Sequence, residues 1–364
     1  LLNIIEPSLV KQVHREYLEA GAEVIETNTF GGSALKLAEY GLDERCEEIN
    51  EAAARIAREA VQGTGSFVAG SVGPSGKLIE PIGETGAEAT YESFLRQCRG
   101  LVRGGVDLII IETMNDLQEA KLALLAAREA APLPVICSMT FEDSGRTVTG
   151  SDMITALASA ASFGADIIGA NCSMGPQGLL RIYREHIEEL KKIGLPLSVW
   201  ANAGMPVFDE RGASYQMTPA EFARQSASFI DLGVQIIGGC CGTTPDHIRE
   251  LRRAIEGKRC APAVKGPRKH FITGRSRSID PGRPSGLIII GERLNPTARK
   301  AFARELGEGK QQFLREESKR QETEGAHILD INVGVPGLDE AKAMRDAVRT
   351  LSGIVTAPLM IDSD

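Results

Sequence analysis

The segment Gly238-Gly239-Cys240-Cys241-Gly242-Thr243 follows a short apolar run, Val234 to Ile237, and precedes a predicted helix start at Thr244-Pro245. Successive residues of a regular strand point to opposite faces, so two adjacent cysteines within a strand could not both reach one metal ion. The flanking glycines can adopt backbone angles that other residues avoid, so the chain can turn both sulfurs to the same side. The segment therefore predicts a strand that ends in a functional loop.

A third cysteine completes a candidate metal site. Cys172, in Asn171-Cys172-Ser173, also comes just after an apolar run. Three protein ligands with an open fourth position are typical of a catalytic zinc, whereas structural zinc sites close with four. The alternatives are buried cysteines that pack as small apolar residues, or a vicinal disulfide. Because the cysteines lie at strand ends, we predict that Cys172, Cys240 and Cys241 bind zinc and form the catalytic centre.

The composition is that of a globular protein with more than one domain. The chain has 364 residues, 42% of them hydrophobic and 25% charged, and a net charge of -8, which provides no basic surface for nucleic acid. Its seven cysteines are irregularly spaced, which fits a reducing cytoplasmic location better than a secreted disulfide framework. No apolar run approaches the roughly 18 residues of a membrane helix. We therefore expect a cytoplasmic protein with neither nucleic acid nor membrane partners.

One unit repeats along the chain: a helical stretch ends at a glycine, and a β-branched run follows and closes on small or polar residues. Helix ends are predicted near Gly21, Gly164, Gly194 and Gly233. Helices are expected at 9–20, 117–130 and 219–232. Strands are predicted at 23–30, 67–74, 107–114, 134–141, 166–173, 196–203 and 235–242. Near-continuous apolar strands that alternate with helices indicate a parallel sheet covered by helices.

The fold class predicted from this pattern is α/β, a (β/α)8 TIM barrel rather than an open doubly wound sheet. Distinctive residues stand at the carboxyl end of every predicted strand, and barrel active sites are assembled at that face from many strands, whereas a doubly wound sheet would concentrate them at one switch point. They are Thr27, Asn28, Gly73, Glu112, Thr140, Cys172, Asn202 and Cys240. Only seven strands are predicted, so the first strand is expected to precede Leu1.

The predicted domains are 1–256 for this barrel, 257–286 for a linker and 287–364 for a second unit. The linker is rich in Lys, Arg, Pro and Gly and lacks sustained periodicity. The βα pattern then restarts with strands at 287–295, 327–334 and 358–362. We interpret this second unit as the first three βα units of a truncated TIM barrel.

Glu112 and the pair Asn28 and Thr29 are the predicted substrate-binding residues. Glu112 ends a strongly apolar strand, where an unpaired carboxylate is costly, so it is expected to bind a substrate ammonium group. The alternative is that Glu112 caps the following helix. Asn28 and Thr29 could bind an amino acid or only satisfy backbone groups.

The motif Asn171-Cys172 with 238–243 resembles the zinc signature of the homocysteine S-methyltransferase family. The segments 23–30, 70–74 and 111–113 also match strand ends of that family. The resemblance implies that L-homocysteine sulfur occupies the open zinc position and attacks a methyl group. The family's first strand, which carries an Asp-Gly-Ala-x-Gly-Thr segment, is absent.

The second unit resembles the start of a pterin-binding methyltransferase barrel, through the segments 291–296, 327–334 and 360–363. That resemblance implies that Asp362 binds the pterin ring, with Glu292, Asn295 and Asn332 as companions. Ordinary strand-end and helix-capping polarity is the alternative, above all for Asn295 before Pro296. Ala298 replaces a common Gly, and Asp364 a common Ser or Thr.

The order of the two units is similar to that of the cobalamin-dependent enzymes that make methionine from homocysteine. It implies methylcobalamin as methyl donor, 5-methyltetrahydrofolate as methyl source, and a cobalamin-binding domain or protein as partner. Rival interpretations are a homocysteine methyltransferase with a sulfonium or betaine donor, and a non-catalytic zinc-binding fragment. A dihydropteroate synthase-like second unit is a further alternative.

Overall fold

The computed structural model describes residues 1–80, 82–209, 212–260, 271–282 and 286–363, so Asp364 lies outside the described residues. The strands, in chain order, are β1 (Val24–Glu26), β2 (Phe67–Val72), β3 (Leu108–Met114), β4 (Val135–Met139), β5 (Ile167–Asn171), β6 (Leu197–Ala201), β7 (Pro206–Asp209), β8 (Gly212–Tyr215), β9 (Ile236–Gly239), β10 (Ile272–Thr273), β11 (Ser278–Ile279), β12 (Ile290–Leu294), β13 (Ile328–Ile331) and β14 (Leu359–Ile361).

The helices, in chain order, are α1 (Leu2–Ile5), α2 (Pro7–Glu19), α3 (Ala34–Leu37), α4 (Cys46–Ala60), α5 (Ala87–Gly104), α6 (Leu117–Ala130), α7 (Met153–Ser162), α8 (Pro176–Ile193), α9 (Pro219–Ser226), α10 (Phe229–Leu232), α11 (Pro245–Ile255), α12 (Lys300–Gly307), α13 (Gln312–Thr323) and α14 (Glu340–Ser352). Short 3-10 turns cover Ala38–Tyr40 and Asp43–Arg45. Within the described residues, no helix has the length and apolar character needed to cross a membrane.

The main sheet is parallel and curled, and its strands run in the order β1-β2-β3-β4-β5-β6-β9. All seven strands predicted for the first unit are present and shorter than predicted; all but β3, which ends at Met114 as predicted, end early because the residues that follow belong to loops. Ile25, Val68 and Ile109 face the helices and belong to the main core, while Ile110 and Trp200 face the inside of the curl. The architecture is a mixed α/β fold of TIM-barrel type.

The helical layer joins the first and last parts of this unit. The Tyr17 hydroxyl of α2 donates to the carbonyl of Thr243 at 2.8 Å, and Arg252 of α11 contacts Glu23 at 2.9 Å. Among the described residues β1 and β9 are the edges of the sheet. The helices therefore meet where these two edge strands are not paired, as expected if the sheet curves toward closure.

The predicted helix ends are confirmed at all four glycines, each of which adopts a positive φ: Gly21 at 100°, Gly164 at 108°, Gly194 at 76° and Gly233 at 87°. One helix differs from the prediction. The stretch expected to be a single helix from 219 to 232 is two helices, α9 and α10, because the Ser228 N–H bonds three residues back, to Gln225, in a tighter turn.

The second unit has a sheet and core of its own. Strands β12, β13 and β14 are parallel neighbours in that order, as predicted, and helices α12 to α14 pack beside them. Its core includes Phe302, Leu314, Leu329 and Leu351, all fully buried. A three-stranded parallel unit is thus present in the described residues, and its assignment to a barrel stays a prediction.

The predicted linker is more ordered than its sequence indicates. Strands β10 and β11 pair as an antiparallel hairpin inside 257–286, whereas 261–270 and 283–285 lie outside the described residues. The Arg275 carbonyl in this hairpin accepts from Ser151 Oγ at 2.5 Å, and its guanidinium donates to the Ser352 carbonyl at 2.9 Å. The hairpin thereby connects the two units.

Candidate metal centre and substrate pocket

Three cysteine sulfurs meet at the carboxyl ends of β5 and β9. Cys172 follows β5, and Cys240 and Cys241 follow β9. The Sγ of Cys241 lies 3.8 Å from that of Cys172 and 4.0 Å from that of Cys240, and all three lie within 4.8 Å of one another. A tetrahedral zinc with Zn–S bonds of about 2.3 Å places its sulfurs about 3.8 Å apart. The two separations from the Cys241 sulfur therefore match the spacing of zinc-bound sulfurs, and the three cysteines could hold one metal ion.

The backbone around the cysteines is bent and partly strained. Gly242 adopts a φ of 77°, and an added Cβ there would lie 2.2 Å from the ring of Tyr215. Cys172 and Ser173 have φ values of 64° and 61°, and Thr113 has 59°. Left-handed backbone at non-glycine residues costs about 1–3 kcal/mol each and clusters at functional sites. The glycine-assisted turn predicted from the sequence is thus accompanied by strain at the third cysteine.

The backbone N–H groups of both paired cysteines are hydrogen-bonded, one to a carbonyl and one to a side-chain amide. The Cys240 N–H donates to the Ala201 carbonyl at 2.7 Å, and the Cys241 N–H donates to Asn202 Oδ1 at 3.1 Å. Hydrogen bonds from the Cys172 and Cys240 thiols lower the pKa of Cys241, while the pKa of Cys240 is raised. Three thiol groups this close together can offer their sulfurs to one cation.

Glu112 lies deeper in the same pocket and is only 5% exposed. Ser71 Oγ donates to its carboxylate at 2.6 Å, and burial raises its pKa. The alternative role as a helix cap does not apply, since Asp116 caps α6 by accepting from the Glu119 N–H at 3.0 Å. Glu112 is thus held inside the curled sheet and directed away from the helix start.

Asn171 connects the carboxylate to the sulfurs. Its Nδ2 lies 3.5 Å from Glu112 Oε2, 3.8 Å from Cys240 Sγ and 2.8 Å from Thr113 Oγ1. One amide therefore spans the distance between the candidate ammonium site and the candidate metal site. A small molecule with a thiol at one end and an ammonium group at the other would therefore find the three cysteines at its thiol end and the Glu112 carboxylate at its ammonium end.

Two residues of this pocket were not predicted from the sequence. Glu26 faces Glu112 at the open edge of the sheet, and burial together with Glu112 raises its pKa well above the usual range, although solvent reaches its side chain. The indole N–H of Trp200 is buried beside the Glu112 carboxylate and opposes the effect of burial on the pKa of that carboxyl. Alternation along β1 and β6 places both inside the curl, but only the assembled sheet brings them to Glu112.

Asn28 and Thr29 are hydrogen-bonded within the protein. Thr29 Oγ1 donates to the Ser71 carbonyl at 2.7 Å, and the Asn28 amide donates to Asn3 Oδ1 at 3.0 Å. These bonds agree with the alternative to substrate binding, in which Asn28 and Thr29 only form hydrogen bonds with other groups of the protein. Their binding of substrate stays a prediction.

In the second unit, the structure brings Asn332 and Asp362 together at the ends of β13 and β14, with Nδ2 and Oδ2 3.1 Å apart. Glu292 and Asp362 also raise the pKa of Asp330, after the larger effect of its burial, so Asp330 joins this group without having been predicted. Asn295 Oδ1 accepts from the Thr297 N–H at 2.9 Å in a local turn, whereas Arg299 is the N-cap of α12, so Asn295 has the strand-end polarity of the alternative but caps no helix. The binding of a pterin by these residues stays a prediction.

Comparison with known proteins shows which family and which relatives the sequence matches. The family described as Homocysteine S-methyltransferase matches residues 1–255. Methionine synthases of Mycobacterium tuberculosis and Mycobacterium leprae are each 33% identical to the chain, and the match covers 100% of this chain and 31% of theirs. The chain thus spans about a third of the length of these curated relatives.

Solved structures with the same fold include the homocysteine methyltransferase MmuM from Escherichia coli. Its metallated form has a TM-score of 0.58 at 24% identity, and its oxidized form has 0.59 at 25% identity. Each match covers 69% of this chain and 86% of that chain.

Proposed function

The chain belongs to the homocysteine S-methyltransferase family, and we propose that it binds zinc through Cys172, Cys240 and Cys241 and transfers a methyl group to the sulfur of L-homocysteine. The observation that carries the proposal is the group of three sulfurs within 4.8 Å of one another at the carboxyl ends of two strands. Three ligands leave a fourth position for the substrate, as in catalytic zinc sites.

A zinc ion held by these three cysteines would supply a positive charge that lowers the pKa of a thiol bound beside it. The chain's own part is to hold three thiolates in a fixed turn, which keeps the centre anionic. Electron-rich ligands of this kind leave a bound substrate thiolate nucleophilic, which suits attack on a methyl group. Asn202 helps to hold the turn at Cys241 by accepting a hydrogen bond from the Cys241 N–H.

Glu112 is proposed to bind the ammonium group of homocysteine, with Asn28 and Thr29 near the amino-acid end. The short bond from Ser71 orients the Glu112 carboxylate. The Asn171 amide lies between this carboxylate and the Cys240 sulfur, so a substrate held at both ends would lie along Asn171. Burial of the pocket strengthens an ion pair by excluding water.

The remaining assignments extend the proposal to the whole chain. Residues 1–256 would form part of a (β/α)8 barrel, 257–286 would link the units, and 287–364 would begin a second TIM barrel. Glu292, Asn295, Asn332 and Asp362 would bind the pterin of 5-methyltetrahydrofolate. The donor to homocysteine would be methylcobalamin, carried by a cobalamin-binding domain or protein. The relatives named methionine synthase support this arrangement because they align with the entire chain.

A donor comparison tests the proposal. The zinc-loaded protein is incubated with L-homocysteine and, in separate reactions, with free methylcobalamin, a methylsulfonium compound or betaine, and methionine is measured. We expect methionine with methylcobalamin, and none when Cys240→Ala replaces the native protein. Methionine only with the sulfonium compound or betaine would favour those donors. A fully active Cys240→Ala protein with full zinc content would refute the cysteine assignment.

A further inference from the structure

A cavity of about 540 Å³ is lined by both units and by the linker hairpin between them. Ile82, in the loop after β2, lines it from the first unit, and Arg275 lines it from the hairpin. Arg315 of α13 and Arg349 of α14 line it from the second unit. Small-molecule sites have volumes of about 300–1,000 Å³. Three guanidinium groups from separate elements therefore converge on a cavity that is large enough for a small molecule.

These three guanidinium groups are incompletely neutralised. Arg349 pairs with Glu80 at 3.1 Å, and Glu80 is the one ion-pair partner of the three arginines within the described residues. The Arg275 guanidinium donates instead to the uncharged Ser352 carbonyl at 2.9 Å. The side chains of Arg275, Arg315, Arg349 and Glu80 together leave an excess of two positive charges, in a chain whose net charge is -8.

Other arginines of the hairpin and of the second unit have carboxylate partners. Arg277 lies 3.8 Å from Glu322, and Arg293 and Arg320 each lie 2.8 Å from Glu317. No carboxylate lines the cavity in the part of the chain that the structure describes. The counter-charge for its arginines is thus available to a bound anion.

The cavity lies at the end of the second unit opposite the candidate pterin group. Thr350, Gly353 and Ile354 line it, and they lie at the end of α14 and before the start of β14. Asp362 follows the carboxyl end of β14, so the strand separates it from the cavity. An anion held in the cavity is therefore a ligand different from the proposed pterin.

The lining favours an anion with several charges and an apolar part. The planar fork of a guanidinium group matches the oxygens of a phosphate and can donate two hydrogen bonds to it. Ile82, which is 45% exposed, and Ile354 add apolar surface beside the arginines. We propose that the cavity binds a small molecule with two or more linked phosphate groups, which Arg275, Arg315 and Arg349 hold while Ile82 and Ile354 contact its apolar part. This site goes beyond the proposed function and does not depend on zinc.

Titration calorimetry with inorganic diphosphate, at constant ionic strength, tests the proposal. Arg315→Gln removes one charge from the cavity, and Arg345→Gln is a matched control, because Arg345 is an exposed residue of α14 that does not line the cavity. We expect Arg315→Gln to weaken diphosphate binding by roughly fivefold or more, and Arg345→Gln to change it by less than about twofold. Both variants keep the three cysteines, so diphosphate that binds to zinc contributes equally in all three proteins.

Equal affinity of the native and Arg315→Gln proteins would overturn the proposal, as would a native protein that binds no diphosphate. Citrate, which carries carboxylates, is the comparison anion, and tighter binding of citrate than of diphosphate would overturn the assignment to phosphate. If circular dichroism shows that Arg315→Gln is unfolded, Arg349→Gln decides, with the same expected loss. Each of these outcomes leaves the zinc and methyl-transfer proposal as it stands, because the three cysteines lie elsewhere, at the ends of β5 and β9.

Discussion

Replacing Glu112 with glutamine should separate substrate binding from folding, because the two depend on its charge in opposite ways. The carboxylate is 5% exposed and accepts from Ser71 at 2.6 Å, a bond that the glutamine Oε1 can also accept. A hydrogen bond to a charged group contributes about 1.5–3 kcal/mol. We therefore expect Glu112→Gln to weaken L-homocysteine binding by roughly 10- to 150-fold while zinc content is unchanged.

The same substitution should stabilise the fold at neutral pH. Burial raises the pKa of Glu112 in the folded protein above the unfolded value of 4.5, so the folded state binds the proton more tightly. Stability from this group is therefore fully present below the unfolded pKa and is lost as the pH rises through the folded pKa. Glutamine removes that loss, so the free energy of unfolding of the variant should increase relative to that of the native protein as the pH rises above 4.5.

Isothermal titration with L-homocysteine measures the loss of affinity. Chemical denaturation at several pH values measures the change in the free energy of unfolding. Glu119→Gln is a matched control, since Glu119 is also 5% exposed, has a pKa raised by burial and bonds to the Ser75 hydroxyl and N–H. It should share the pH-dependent gain in stability and keep native affinity for homocysteine. Native affinity in a folded, zinc-loaded Glu112→Gln protein would refute the ammonium assignment.

Three further substitutions have defined outcomes. Ala298→Gly should raise the free energy of unfolding by up to about 1 kcal/mol in denaturant titration, because Ala298 adopts a φ of 62° that suits glycine; a lower midpoint would contradict this. Gly242→Ala should lower zinc content, measured by elemental analysis, because its Cβ would collide with the Tyr215 ring, and a native zinc content would show that the loop can adjust. Asp362→Asn should weaken binding of 5-methyltetrahydrofolate by roughly tenfold or more in equilibrium dialysis and leave zinc and homocysteine binding intact, and equal folate binding by the two proteins would count against the pterin assignment.

The strands and the meeting of the three cysteines could be predicted because their signals are local. Apolar runs bounded by glycine identify each strand, and a cysteine pair between glycines is distinctive without any partner. The parallel order of the sheet then brings Cys172 to the pair, since the carboxyl ends of parallel strands lie at one edge. What the sequence left open was the backbone strain at Cys172, which depends on the packing around it.

Glu26, Trp200 and Tyr215 were missed for a different reason. Each lies against a neighbour on another strand or loop, and no spacing in the sequence records which side chains meet across the inside of a curled sheet. Strands β7 and β8 have only four residues each, which is too short for an alternating pattern to be recognised. The hairpin in the expected linker could not be recognised from the sequence either, because its strands have only two residues each.

X-ray absorption at the zinc edge, with and without L-homocysteine, tests the central claim most directly. We predict three sulfur ligands and one lighter atom in the free protein, and four sulfurs at about 2.3 Å once homocysteine is added. Zinc without a change in its ligands would mean that Cys172, Cys240 and Cys241 bind a metal that does not activate the substrate. A purified protein that binds no zinc would contradict the account of these three cysteines.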